Sequence, residues 1–142
     1  MANSIKESGG GLALQITGPA RDAGLVRENT DGKATWLAQV YVYGFEGLLV
    51  VIDSESVSPA ERAEIVATAV QGSGGIYRGE VASVEPAGNG YQVQLPGAAE
   101  AGFDVGDTAP VILSSGLIVI HDGDRAKLAD SVSVVRDNQL VS

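Results

Sequence analysis

The sequence contains no cysteine, which excludes disulfide bonds, thiolate nucleophiles and cysteine-ligated metal sites. No apolar run approaches the roughly 20 residues of a membrane-spanning helix, and the first residues lack the apolar stretch of a secretory signal. We therefore expect synthesis in the cytoplasm and no membrane span. Aromatic residues make up only 5% of the chain, so we expect a core built mainly from Val, Ile, Leu and Ala.

Lysine is also scarce. The basic residues number nine, of which only Lys6, Lys33 and Lys127 are lysines, against 18 acidic residues and a net charge of −9. Because loose nucleic-acid binding depends on Lys and Arg neutralising phosphates, we expect no nucleic-acid partner of that kind. An acidic, Lys-poor surface is typical of proteins from salt-loving hosts, where screening weakens repulsion between carboxylates. An ordinary acidic protein fits the same composition.

Short β-branched segments separated by glycine turns predict a mainly β fold with two β-rich, barrel-like units. One helix is predicted at about 58–71, because Ser58, Pro59 and Glu61 form the N-cap, first position and capping box of a helix start. A glycine-rich stretch at 72–75 then marks a boundary. The predicted organisation is a flexible N-terminal arm (1–11), a first β-rich unit with the helix (12–72), a second β-rich unit (76–130) and a C-terminal hairpin or arm (131–142).

The two halves of the chain resemble each other in sequence. Residues 14–18 (LQITG) match 93–97 (VQLPG), and residues 47–53 (GLLVVID) match 116–122 (GLIVIHD). Extra residues lie in the first half before Trp36. Since a lone unit of three or four strands cannot bury both faces, an internal duplication would let two equivalent units close on one core.

Residues 79–121 carry a further pattern. It consists of the Asn-Gly turn at 89–90, a Leu-Pro step at 95–96 into a short helical turn, and a Val-Gly-Asp box at 105–107. This pattern resembles the swapped-hairpin domain of the AbrB/MazE/SpoVT family. The resemblance implies a barrel of two interlaced units, usually formed across a homodimer. With a duplication, this chain would supply both units itself.

The resemblance does not extend to the residues with which DNA-binding members of that family contact nucleic acid. Those members present basic side chains at positions that correspond to Glu85, Gln92, Glu100 and Ala101, and Arg78 is the one cation close by. Phosphate contacts and base readout need Arg or Lys at such positions. The resemblance therefore implies the barrel more strongly than it implies DNA binding.

Seven residues are candidates for an interface between subunits. Alternation along one strand places Tyr41, Tyr43 and Phe45 on a common face. Core packing and an aromatic interface both fit that face, since Tyr is favoured at interfaces and the opposite face of the strand is apolar too. The complete set of candidates is Trp36, Tyr41, Tyr43, Phe45, Val132, Val134 and Leu140.

Residues with chemical potential are few and scattered. The stretch 121–124 (HDGD) could hold a metal or act as an acid–base pair, but a strand end running into an Asp-Gly turn explains it better. Ser114 and Ser115 lack the sharp turn of a nucleophilic serine. The carboxylate pairs that could bind a hard cation are Asp53 with Glu55 and Asp104 with Asp107, and solvated loops explain them equally simply.

The sequence thus predicts no catalytic residue, no cofactor and no metal. We expect a non-enzymatic structural protein that assembles as a homo-oligomer through β-rich interfaces, such as a virion component from a halophilic setting. The alternative is an AbrB-like DNA-binding transcriptional regulator.

Overall fold

The computed structural model describes residues 2–8, 11–15, 24–28, 35–37, 39–76, 78–87, 90–95, 98–104, 106 and 108–141. Within these ranges the chain is mainly β, as predicted, with ten strands and two helices. The strands are β1 (Ala2–Ser8), β2 (Gly11–Gln15), β3 (Val26–Glu28), β4 (Thr35–Leu37), β5 (Gln39–Phe45), β6 (Leu48–Asp53), β7 (Arg78–Ala87), β8 (Gly90–Gln94), β9 (Thr108–Ser114) and β10 (Leu117–His121). The helices are α1 (Pro59–Ser73) and α2 (Ala126–Val141).

Eight of these strands form one closed barrel. Their order is β1-β2-β8-β7-β5-β6-β10-β9, with β9 pairing back to β1, and every neighbouring pair is antiparallel. The first half of the chain contributes β1, β2, β5 and β6 to this single barrel, with β1 coming from the predicted arm, and the second half contributes β7 to β10. Strands β3 and β4 form a separate two-stranded sheet. A closed barrel has no free strand edge, so its backbone groups are satisfied within the ring.

Strands β6 and β10 lie side by side and are buried on both faces. Alternate side chains point into the barrel, where Leu49, Val51, Ile118 and Ile120 join the inner core. The intervening side chains point outward and are covered by α1 and α2. This second, outer core contains Leu48, Val50, Ile52, Ile65, Ala69, Leu117, Val119, Ala129 and Val132. The double coverage explains why both strands are continuous apolar runs.

Helix α1 begins as the sequence predicts. The Ser58 hydroxyl accepts a hydrogen bond from the Glu61 N–H at 3.2 Å, and the Glu61 carboxylate accepts one from the Ser58 N–H at 3.3 Å. These reciprocal bonds satisfy donors that the first helical turn leaves open. The helix ends at Gly74, whose φ of 92° suits glycine and whose N–H bonds the Val70 carbonyl at 2.9 Å.

The predicted C-terminal hairpin is wrong, because residues 126–141 form helix α2. The density of Val in this segment favours a strand locally. However, Ala129 and Val132 recur at helical spacing, and both are buried against the barrel. Tertiary packing therefore decides the structure against local β propensity.

The predicted flexible arm is also wrong for residues 2–8, which form β1. This strand pairs with β2 on one side and with β9 on the other. Its one apolar anchor, Ile5, is 1% exposed in the inner core. Polar composition suggested an arm, and one of the two strands that hold β1 in place, β9, lies far away in sequence.

The barrel has an internal pseudo-twofold symmetry. The β1–β2 pair places Ile5 opposite Leu14, and the β7–β8 pair places Val84 opposite Val93 in the same arrangement. The two hairpins meet where Leu14 faces Val93, so the pair that joins them consists of equivalent residues. The sequence repeat aligned these same two residues.

The other half of the ring follows the same symmetry. Tyr43 lies opposite Val50 in β5–β6, as Ile112 lies opposite Val119 in β9–β10. Strands β6 and β10 then meet with Val50 facing Val119, again a pair of equivalent residues. The strand registers therefore agree with the duplication that the sequence repeat predicts.

This symmetry predicts that a circular permutant will fold. The connection from α1 to β7 is equivalent to the gap between the end of α2 and the start of β1. We expect a chain opened between Gly74 and Gly75, with a short Gly-Ser linker joining Ser142 to Met1, to keep the native circular dichroism spectrum and unfold cooperatively. A chain opened between Ser115 and Gly116 cuts the β9–β10 turn and is expected to be strongly destabilised. Equal loss of structure in both permutants would contradict the equivalence of the α1–β7 connection with the gap between α2 and β1.

Candidate interaction surface

The aromatic strand β5 alternates as the sequence predicts. Val40 and Val42 point into the barrel, while Tyr41, Tyr43 and Phe45 lie on its outer face. Phe45 is fully buried in the outer core, whereas the two tyrosines are only partly buried against it. Core packing is therefore confirmed at the Phe45 end of this face, and an interface at the tyrosine end stays a prediction.

Strand β7 extends this open face. Tyr41 is opposite Val81 and Tyr43 is opposite Gly79, so these residues share the outer side of the sheet. Val81 is 55% exposed. A Cβ on Gly79 would lie 2.8 Å from Cδ1 of Tyr43, which means that the tyrosine ring lies across the β7 backbone. We call Tyr41, Tyr43, Gly79 and Val81 the β5–β7 surface.

A positive charge borders this surface. Arg62 of α1 places its guanidinium carbon 4.0 Å from the centroid of the Tyr41 ring, within the range of a cation–π contact. The contact holds the arginine over the aromatic face while leaving both side chains partly exposed. The β5–β7 surface thus combines apolar groups, tyrosines and one cation, a composition common at protein interfaces.

The other predicted interface residues lie elsewhere. The interface prediction is wrong for Phe45 and Val132, because both are fully buried beneath the helices and cannot touch a partner. Trp36 belongs to β4, where its backbone pairs with that of Arg27, and Leu140 belongs to α2. The side chains of Trp36 and Leu140 lie outside the described part of the structure.

Val134 is exposed on the outer side of α2, at 49% of its surface. Asp130 and Asp137 are one turn away from it in either direction, on the same side of the helix, and both are exposed. Asp137 also accepts a hydrogen bond from the Ser114 hydroxyl. We call Asp130, Val134 and Asp137 the α2 stripe. The sequence indicated Val134 as an interface candidate but not the two aspartates, because this segment was predicted as a hairpin.

The two helices are joined by a buried arginine that the sequence did not reveal. Arg136 of α2 is 3% exposed. Its Nε donates to the Ser115 carbonyl at 2.8 Å, its Nη2 donates to the Ser56 carbonyl at 3.0 Å, and its Nη1 forms a salt bridge with Glu61. These bonds tie α2 to the start of α1 and to the β9–β10 turn. They fix the position of α2 relative to α1 and the hairpin, which is a structural role.

Burial alone would raise the pKa of the Glu61 carboxyl. Hydrogen bonds from the backbone and hydroxyl of Ser58, together with the charge and hydrogen bond of Arg136, outweigh that effect and place the pKa below its ordinary value of 4.5. The carboxylate is therefore held in its charged form at the helix junction.

The stretch 121–124 forms a strand end and a turn. His121 ends β10 and is 6% exposed, and its Nδ1 accepts a hydrogen bond from the Gly123 N–H at 3.0 Å. One carboxylate oxygen of Asp122 accepts from the N–H groups of Asp124 at 3.0 Å and Arg125 at 3.3 Å. These side chains hold the turn that leads into α2.

Of the other candidate carboxylates, Asp53 has a structural role. Asp53 is fully buried and accepts hydrogen bonds from the Glu55 N–H at 3.1 Å and the Ser56 hydroxyl at 2.8 Å. Asp104 is exposed, and Asp107 lies outside the described residues. In the described ranges, no three His, Asp or Glu side chains gather where they could share a metal ion. Neither described helix is long and apolar enough to cross a bilayer.

Comparisons with protein-family models, with curated proteins and with solved structures found no match. The resemblance to the AbrB/MazE/SpoVT family therefore stays a prediction. The surfaces on the outside of the barrel carry the functional argument.

Proposed function

We propose that this protein is a non-enzymatic structural protein that assembles with further copies of itself through the β5–β7 surface. The observation that supports this proposal is the 55% exposure of Val81 beside two half-buried tyrosines on the outside of a closed barrel. Because the barrel has no free edge, neighbouring copies must recognise its outer faces rather than extend its sheet. An apolar, tyrosine-containing face of this kind favours contact with protein.

The polar clusters of the described chain support a structural role. Arg136 joins two helices and a hairpin, Asp53 and Asp122 each hold the turn after a central strand, and His121 accepts a backbone hydrogen bond. Each of these groups is used to fix the fold. The observations therefore favour a protein whose surface, and not a polar pocket, carries its function.

We further propose that the assembly is a large one, such as a virion, in a halophilic setting. The net charge of −9 and the presence of only three lysines support this part of the proposal. Copies with this charge repel one another at low salt. At about 1 M salt the Debye length falls to ~3 Å, so acidic copies can pack closely.

The test is the mass of the particles formed at about 1 M NaCl, where screening permits contact. We expect the wild-type protein to form oligomers in mass photometry and analytical ultracentrifugation. Val81→Asp buries a charge in the proposed contact and is expected to weaken assembly at least ~10-fold, equivalent to about 1.4 kcal/mol. Ala99→Asp, at another exposed position, adds the same charge away from the surface and serves as the control.

Two results would contradict the proposal. One is a wild-type protein that stays monomeric at every concentration and salt level tested. The other is a Val81→Asp variant that is folded and assembles as well as Ala99→Asp.

DNA binding is the alternative that the sequence suggested, and the described cations give it less support. Arg62 stacks on Tyr41, Arg125 forms a salt bridge with Glu46 at 3.5 Å, and Arg136 is buried, while Lys127 is exposed on α2. One exposed lysine is a small base for phosphate contacts. A gel shift on a palindromic duplex that persists at high salt would favour the alternative over assembly.

A further inference from the structure

Large apolar side chains are exposed at three places in the described part of the chain. Ile76 is 44% exposed in the connection before β7, Val81 is 55% exposed on β7, and Val134 is 49% exposed on α2. Val81 belongs to the β5–β7 surface and Val134 to the α2 stripe. The two surfaces therefore share an apolar centre and differ in what surrounds it.

The surroundings have opposite charge. Val134 lies between the exposed carboxylates of Asp130 and Asp137, and the exposed Lys127 lies one turn beyond Asp130, so this face is acidic by two charges to one. The β5–β7 surface is instead bordered by the guanidinium of Arg62. On a chain with a net charge of −9, contact between two acidic faces is opposed by repulsion. Contact between the α2 stripe and the β5–β7 surface instead brings opposite charges together around an apolar centre, which favours this pairing over the others.

The β5–β7 surface lies at the junction of the two halves of the pseudo-twofold barrel, whereas the α2 stripe belongs to the second half alone. Helix α1 packs against β5 on the side of the β5–β7 surface, and α2 packs against β9 and β10. The positions equivalent to Tyr41 and Tyr43 are Pro110 and Ile112, so the second half lacks the aromatic face. Each chain therefore has one β5–β7 surface.

We infer that the α2 stripe of one copy docks on the β5–β7 surface of a second copy, so that copies join head to tail. This inference rests on the proposed function and adds the face that the partner copy contributes. Each chain then carries one donating surface, the α2 stripe, and one receiving surface, the β5–β7 surface. The contact is heterologous, because the two copies contribute different surfaces. Such contacts close into a ring when the rotation between copies allows it, and otherwise continue as a filament.

Two variants, each lacking one surface, test this arrangement. Val81→Asp removes the receiving surface and Val134→Asp removes the donating one. Each variant alone is expected to be monomeric at about 1 M NaCl, where the wild type assembles. In an equimolar mixture, the Val81→Asp variant still offers its α2 stripe and the Val134→Asp variant still offers its β5–β7 surface, so one contact can form between them. We therefore expect a heterodimer with twice the 14.5 kDa mass of the chain, and no larger species.

A charge exchange provides a second readout. At about 0.15 M NaCl, where the Debye length is ~8 Å and charges across the contact still act, Arg62→Asp is expected to weaken assembly about 10-fold relative to the wild type. Combining it with Asp130→Arg and Asp137→Arg restores opposite charges across the contact and is expected to recover most of that loss. Circular dichroism and thermal unfolding confirm that each variant is folded. Val81→Thr, which keeps a β-branched side chain, replaces Val81→Asp if the aspartate variant does not fold.

The possible outcomes separate this inference from the proposed function. A wild type that is monomeric at all salt levels overturns both. A wild type that assembles and is blocked by Val81→Asp but not by Val134→Asp overturns only the head-to-tail arrangement, since the β5–β7 surface then contacts something other than the α2 stripe. A mixture of the two variants that stays monomeric also overturns it.

Discussion

Replacing Arg136 with Met is expected to lower the free energy of unfolding by about 3 kcal/mol. The side chain is 4% exposed and joins α2 to Glu61, to the Ser56 carbonyl and to the Ser115 carbonyl. Methionine fills a similar volume but leaves both carbonyl oxygens and the Glu61 carboxylate without this donor. Urea unfolding at fixed salt gives the free energy directly.

Arg125→Met is the matched control, because Arg125 makes a salt bridge with Glu46 that is largely exposed to solvent. We expect that change to cost less than about 1 kcal/mol. Equal effects of the two arginine changes would refute the view that Arg136 has this structural role. Glu61→Gln and Arg136→Met remove the same ion pair, so their combined effect should be smaller than the sum.

The pH dependence of stability reports on the same ion pair. The pKa of Glu61 in the folded protein lies below its ordinary value of 4.5, so its contribution is present above that value and is lost as the pH falls through the lower, folded pKa. The Glu61→Gln variant should lose less stability than the wild type over this acidic range.

Replacing Gly116 with Ala is expected to cost about 2–4 kcal/mol, through left-handed backbone strain together with steric overlap. Gly116 has a φ of +74°, and an added Cβ would lie 2.2 Å from the Ser56 hydroxyl and 3.3 Å from Cγ2 of Val57. Its carbonyl also accepts the Asp53 N–H at 2.8 Å, so any shift of the turn weakens that bond. Thermal and urea unfolding measure the loss.

Gly123→Ala separates the two parts of this cost. Its φ is +95°, but no atom lies within 4 Å of the added Cβ, so only strain of about 1 kcal/mol is expected. Removing the obstructing hydroxyl with Ser56→Ala should recover part of the loss in the Gly116→Ala background. If Gly116→Ala proves no more harmful than Gly123→Ala, the crowding at this turn plays no role in stability.

Gly47 is the pseudo-twofold equivalent of Gly116, so replacing it tests the same explanation at a second turn. It occupies the equivalent turn between β5 and β6 with a φ of +69°, and its added Cβ would lie 2.5 Å from a carboxylate oxygen of Asp122. Its carbonyl accepts the Asp122 N–H at 3.2 Å, as the carbonyl of Gly116 accepts that of Asp53. Gly47→Ala is therefore expected to be destabilising for the same reasons.

The sequence predicted those parts of the fold that depend on local signals. The capping residues around Ser58 located the start of α1, and the repeat aligned Leu14 with Val93. The sequence did not locate the buried face of α1: Ile65 and Ala69 face the barrel, while Ala63 and Ala67 are exposed. On a helix rich in Ala and Val, several faces are almost equally apolar.

The features that sequence reasoning missed depend on contacts between distant residues. Strand β1 is stabilised by pairing with β9, more than 100 positions away. The neighbours of Tyr41, which are Val81 across the sheet and Arg62 on α1, are set by the register of β5 with β7 and by helix packing. No local pattern specifies either, so the tyrosines could be proposed as an interface while their partners could not.

The closed ring of eight strands has a consequence for a protein that would be crowded with copies of itself. Exposed strand edges in concentrated protein recruit one another and grow into unlimited cross-β aggregates. Here the described barrel leaves no edge on which such growth could start, and β3 and β4 are the only described strands outside it. In the described chain, unpaired edges remain only on the three-residue strands β3 and β4, so crowded copies meet mainly through side chains.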